Sequence, residues 1–91
     1  MLPKYRTPTH PGEILWEEFL KPKKMTQSEL ANKMGVPIQR VNTLIGEKRG
    51  VTPETAILLS NVFGTSPQFW MHLQSNYDLY LAHSALAKRA A

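Results

Sequence analysis

Gln39, Asn42 and Thr43 fall on one side of segment 37–46 at helical spacing, with Ile38 and Gly46 beside them and Val41, Leu44 and Ile45 opposite. These are side chains that can read a base pair. The carboxamides of Gln39 and Asn42 can pair bidentately with adenine, the Thr43 hydroxyl can bond either base type, and Ile38 can pack on a thymine methyl. No carboxylate lies on this face, whereas a merely solvated helix more often carries Glu and Lys for helix propensity. Arg40, Lys48 and Arg49 add cations suited to the phosphate backbone. Gln27 and Ser28, at the start of the preceding segment, can offer side-chain and amide donors to a phosphate.

Such a face must be presented by something rigid. The segments TQSELANKM and PIQRVNTLI are joined by Gly35-Val36 in the pattern of a helix-turn-helix. Leu30, Met34, Val36, Val41 and Leu44 are apolar where two helices crossing near a right angle bury side chains against each other. Ala31 is small where the helices come closest, and Gly35 falls at the turn, where a left-handed backbone is cheap only for glycine. An ordinary helical hairpin would account for the apolar positions but not for the polar face. A motif of this type sends its second helix into the major groove.

The charge distribution agrees with that reading. Between positions 21 and 50 lie seven basic residues (Lys21, Lys23, Lys24, Lys33, Arg40, Lys48, Arg49) against Glu29 and Glu47, a balance of +5. The rest of the chain holds Lys4, Arg6, Lys88 and Arg89 against Glu13, Glu17, Glu18, Glu54 and Asp78, a balance of −1. The positive excess therefore surrounds the reading helix, where it supplies sequence-independent attraction to phosphate. A solubilising charge run would have no reason to centre there.

Catalytic chemistry finds little footing. His10, His72 and His83 are scattered without metal-ligand spacing, no nucleophile elbow or phosphate-cradling glycine loop occurs, and no cofactor is implied. Ser, His and Asp in the last helical segment could not converge on one substrate. The chain has no cysteine, which rules out a disulfide framework and a thiolate metal site. Its apolar runs fall short of a membrane span and its N-terminus lacks a signal-peptide core, so a cytoplasmic protein is expected.

The periodicity predicts an all-α, single-domain chain (1–91) of five helices, with a lambda-repressor-like helix-turn-helix region at about 13–69. The first helix opens at His10-Pro11-Gly12, faces Ile14, Leu15, Phe19 and Trp16 inward, and stops at Pro22. The second starts with a capping box, Thr26 and Glu29, and ends at Gly35; the third ends near Gly46. The fourth runs from the Thr52-Pro53 start to Gly64, with Ala56, Leu59, Val62 and Phe63 as core. The fifth opens at Ser66-Pro67 and spans about 66–88, its last residues fraying.

Along this last helix Phe69, Trp70, Leu73, Tyr77, Tyr80 and Leu81 form an apolar stripe larger than so small a core needs. Phe69, Trp70 and Leu73 are expected to lock it onto its own domain, leaving Tyr77, Tyr80 and Leu81 for a homodimer interface. A two-fold dimer would place two readers on half-sites of a palindromic operator, ~34–36 Å apart.

The stretches HPGEILWEEFLKP, TQSELANKMGVPIQRVNTLI and KRGVTPETAILLSNVFGTSPQFWMHLQSNYDL resemble the HigA/VapI-type antitoxins, a branch of the Cro/C1 helix-turn-helix class. The resemblance runs from about His10 to Leu79. Its most specific pieces are His10-Pro11-Gly12-Glu13, the run from Lys48 to Ala56, and Phe69-Trp70 followed by Leu73-Gln74. It implies a dimeric antitoxin that binds double-stranded operator DNA, represses its own operon and neutralises a RelE-like, mRNA-cleaving toxin protein. This chain has Gly46-Glu47 where many relatives have Asn-Gly or Arg-Gly, which places a carboxylate beside Lys48 and Arg49. Two alternatives stay open: a stand-alone transcription regulator without a toxin partner, and a protein-interaction module with a vestigial reader. The polar face and basic window disfavour the second alternative.

Overall fold

The computed structural model describes residues 8–90, and all the regular structure among them is helical. Helix α1 is continuous through three stretches, Pro11–Ile14, a π-helical Leu15–Leu20 and Lys21–Lys23. It is followed by α2 (Gln27–Met34), α3 (Ile38–Ile45), α4 (Pro53–Phe63) and α5 (Pro67–Ala90).

The start of α1 is set by His10, whose ring Nδ1 accepts the Gly12 N–H at 2.9 Å, while Pro11 occupies a position that needs no donor. The π stretch then changes which residues face inward. With i→i+5 hydrogen bonding, residues five apart share a face. Leu15 and Leu20 are both fully buried, Ile14 and Phe19 flank them, and Trp16 is turned outward. The expected inward Trp16 followed from a 3.6-residue period that this helix does not keep. Pro22 does not stop the helix either. The chain stays helical through Lys23 and ends at Lys24, whose backbone is left-handed at φ 53°.

The later boundaries follow local chemistry. The Thr26 hydroxyl accepts the Glu29 N–H at 3.0 Å, and the Glu29 carboxylate accepts the Thr26 N–H at 2.8 Å, closing the capping box. The Thr26 backbone N–H, then its hydroxyl, and the positive charge of Lys33 hold the Glu29 carboxyl below its ordinary acid range. Gly35 and Gly64 end α2 and α4 in left-handed conformations at φ 71° and 74°. Thr52 caps α4, and the Ser66 hydroxyl accepts the Phe69 N–H at 3.1 Å to cap α5.

One core unites the five helices. Leu30, Ala31 and Met34 of α2 are buried with Val41 and Leu44 of α3, and Val36 is partly buried between them. Leu15 and Leu20 come from α1, Ala56 and Leu59 from α4, and Trp70 from α5. Trp70 is the largest fully buried side chain, and its indole N–H donates to the Thr65 hydroxyl at 2.7 Å. Phe19, Phe63 and Phe69 gather around it, with ring centroids of successive pairs about 5 Å apart.

Helix α5 carries its stripe only partly inward. Leu73 and Tyr77 are half-buried, and the Tyr77 ring stands edge-on to His10 at 4.8 Å. Tyr77 is therefore engaged by its own chain. Tyr80 is also half-buried, while Leu79, Leu81 and Leu86 are the exposed leucines. The helix runs through Ala90, and its 24 residues extend a molecule measuring 46 × 27 × 20 Å.

A tight crossing lies between the start of α1 and the end of α3. A Cβ at Gly12 would land on the carbonyl oxygen of Leu44 and press on Ile45 Cα, both backbone groups that cannot swing aside. Gly12→Ala should destabilise the fold by about 3 kcal/mol or more, at or beyond the upper end of ordinary overpacking. Chemical denaturation of the two chains measures it; equal midpoints and slopes would show that the crossing is not tight.

Candidate nucleic-acid interface

Helices α2 and α3 form the two arms of the motif, and the residues expected to read DNA stand on its outer side. Ile38, Gln39 and Asn42 are exposed on α3, and Ser28 is exposed with half-buried Gln27 at the start of α2. Burial of Val41 and Leu44 on the opposite side of α3 fixes which face it turns outward. No intramolecular partner is needed for the Gln39 and Asn42 carboxamides at an exposed face, because water or a base edge can serve them.

Thr43 is more committed. Its hydroxyl donates to the Gln39 carbonyl at 2.8 Å and lies 3.3 Å from that of Arg40, while it accepts the Arg49 Nε–H at 3.3 Å. A hydroxyl has one proton, so with that proton on a carbonyl Thr43 meets a base as an acceptor or through its methyl group. The same contact draws the Arg49 side chain back along α3. Sequence spacing brought Thr43 and Arg49 into one window; it could not show that they touch.

Arg40 is partnered as well. Its guanidinium donates to Glu54 in the first turn of α4 at 3.0 Å, with side-chain exposures of 31% and 73%. Glu54 has no place among the sequence-derived site residues. The fourteen-residue separation crosses a loop whose path the helical periodicity does not set. Lys48 and Arg49 are both exposed on that loop, and between them and α3 stands Glu47 in a left-handed conformation at φ 62°. Glycine or asparagine would adopt that backbone more readily, a physical reason for the Asn-Gly or Arg-Gly expected in relatives.

The loop is tied down by a residue far along the chain. The Val51 N–H donates to the Gln74 carboxamide oxygen at 2.7 Å, and the Gln74 amide donates to Asp78 at 2.9 Å. A Cβ at Gly50 would come within about 2.7 Å of the same carboxamide. Gly50, Val51 and Gln74 belong to two of the most specific pieces of the resemblance, and here they meet. The contact was legible as two motifs but not as one joint.

No group of three or more His, Asp or Glu residues able to hold a metal ion occurs among the described residues, and no helix among them is long and apolar enough to cross a membrane.

Comparison with known proteins agrees with this geometry. The helix-turn-helix family pattern matches residues 17–70. Virulence-associated protein I of Dichelobacter nodosus is 44% identical over 80% of this chain and 68% of its own length. Antitoxin HigA-1 of Vibrio cholerae is 41% identical over 82% of this chain and 70% of its own. Among solved structures, that of the Pseudomonas aeruginosa antitoxin HigA with the higBA promoter superposes with a TM-score of 0.87 at 43% identity, covering 91% of this chain and 90% of that one. Two of these three relatives are named as antitoxins.

Gln74→Leu would keep the bulk against Gly50 but leave the Val51 N–H without its acceptor. Loss of about 1–3 kcal/mol of stability is expected for a buried donor left unpaired, with faster hydrogen exchange at the Val51 amide. Unchanged exchange there would remove Gln74 as the tether.

Proposed function

The chain belongs to the HigA/VapI branch of the helix-turn-helix family, and on that premise we propose that it is an operator-binding antitoxin that represses its own operon. The observation that carries the DNA reading is the exposed Gln39–Asn42 pair on α3, backed by a buried core and flanked by Lys48 and Arg49. Support comes from a structural relative that was solved with its promoter. In this reading Gln39 and Asn42 pair with base edges, Ile38 packs on a thymine methyl, and Thr43 completes the reading surface. Gln27 and Ser28 meet a phosphate at the start of α2, and Arg40, Lys48 and Arg49 form the cationic flank.

The functional unit in this proposal is a homodimer built along α5. Tyr77 contributes mainly to its own chain, since it already packs on His10. The interface passes to Tyr80 and Leu81 on the same helix, while exposed Leu79 and Leu86 lie on a different side of it from Leu81. Covering Tyr80 and Leu81 removes apolar area from water, and the pairing gives two readers at the spacing of successive half-sites.

The finer partner is a RelE-like toxin, proposed from the resemblance. One candidate toxin site is the arm before Pro11, whose residues 1–7 lie outside the described residues. The outer side of α1 is the other. It exposes Trp16 with Glu13, Glu17 and Glu18, of opposite charge to the window around the reading helix. An acidic surface with an aromatic anchor suits a basic partner. A stand-alone regulator is the alternative, and the absence of any co-purifying toxin would favour it.

Gel-shift titration against the chain's own upstream DNA tests the reader, and sedimentation of the same samples should show a dimer. Gln39→Ala or Asn42→Ala should lose roughly 1–3 kcal/mol at one base position and relax specificity there. Arg49→Gln should weaken all sequences alike and make the salt slope shallower by about one. Operator preference that survives both alanine changes would end the base-reading assignment.

Separation of the two activities is tested by Lys48→Glu with Arg49→Glu. Operator binding should fall by at least two orders of magnitude, roughly what several lost or reversed phosphate contacts produce. Growth rescue on co-expression with the neighbouring toxin should be unaffected. A folded variant that loses both activities would show one shared surface.

A further inference from the structure

Of the three cations flanking the reading face, Arg40 is the one whose charge is already matched by a carboxylate among the described residues. We infer that Glu54 restrains Arg40, so that this arginine adds little net attraction to DNA. The inference rests on the proposed DNA-reading role of α3 and concerns how strongly that surface binds duplex of any sequence.

The geometry is specific to this pair. Arg40 lies on the flank of α3 between the exposed Gln39 and the side that packs inward, and its guanidinium donates to Glu54 at 3.0 Å. Glu54 stands in the first turn of α4, after the cap Thr52 and Pro53, where a carboxylate also offsets the positive end of the helix. The other ion pair among the described residues, Lys21 with Glu17 at 3.6 Å, lies within α1. Lys48 and Arg49 meet no carboxylate within salt-bridge distance among the described residues, although Glu47 precedes them in the chain.

An exposed pair of this kind is weak, so phosphate can compete for the arginine. The exchange is nevertheless unproductive at long range. It leaves the Glu54 carboxylate unpaired beside the polyanion, and the sum of Arg40 and Glu54 is zero before and after. Glu54 thereby subtracts one cation from the sequence-independent part of binding while leaving Gln39 and Asn42 untouched. A reader whose backbone attraction is limited depends more on its base contacts to find a site.

Fluorescence anisotropy with a labelled mixed-sequence duplex, titrated at several salt concentrations, measures this. Glu54→Gln should steepen the dependence of log affinity on log salt by about 0.9, the value of one neutralised phosphate. It should also raise affinity about two- to fivefold near 0.15 M salt, the scale of an exposed ion pair. Arg40→Gln should make the slope shallower by less in the wild-type background than in the Glu54→Gln background, where it should abolish the gain. That second step separates release of Arg40 from a simple change at the α4 terminus.

Thermal melts would establish that each variant is folded, as expected for side chains at the surface. A Glu54→Gln slope equal to the wild type would overturn the inference. So would a shallower one, which would make Glu54 a support that aims Arg40 at phosphate. A gain that persists without Arg40 would assign the effect to the helix terminus and equally overturn it. Failure of the wild-type chain to bind both this duplex and its own upstream DNA would instead remove the DNA-reading role, and this inference with it.

Discussion

The backbone crossing of α1 over the end of α3 is the constraint on which the rest of the molecule leans. Gly12 meets the Leu44 carbonyl so closely that no side chain fits between them. His10 caps α1 at the same place and carries the Tyr77 ring on its other side. Three helices are thereby referenced to one point: α1 by its cap, α3 by its last turn, and α5 by an aromatic contact. The reading face is presented by an eight-residue helix, too short to be stable alone, so its orientation must come from such packing.

A second joint governs the loop after α3. Gln74 of α5 supplies the acceptor for the Val51 N–H, and Gly50 makes room for it. Arg49 is drawn onto Thr43 just upstream, so the cationic loop is held at both ends, by α3 and by α5. The helix expected to join two protomers is thus hydrogen-bonded to the loop that would meet the DNA backbone. The link between them is a single carboxamide.

Charge is divided in the same way. The basic window lies around α2, α3 and the following loop, whereas Glu13, Glu17 and Glu18 stand on α1. Because exposed charges are screened within about 8–10 Å at ordinary salt, each surface acts on its own neighbourhood. Glu54 enters the basic side, as Glu29 and Glu47 do, and it does so against a specific arginine.

Much of this was determined by the sequence alone. Caps, glycines and the 3.6-residue period are local signals, and they identified α2, α3 and α4 with their ends because helix termini are decided by groups a few residues apart. The outward face of α3 was legible for the same reason, since burial of Val41 and Leu44 follows from its own periodicity. Only the tertiary structure decided the π turn that puts Leu20 inside and Trp16 outside, the use of Tyr77 against His10, the pairing of Arg40 with Glu54, and the tether of Val51 by Gln74. Each of these depends on where two segments distant in sequence, or a helix of unusual pitch, come to lie. Periodicity carries the direction of a side chain around its own helix but not the identity of the neighbour that it meets.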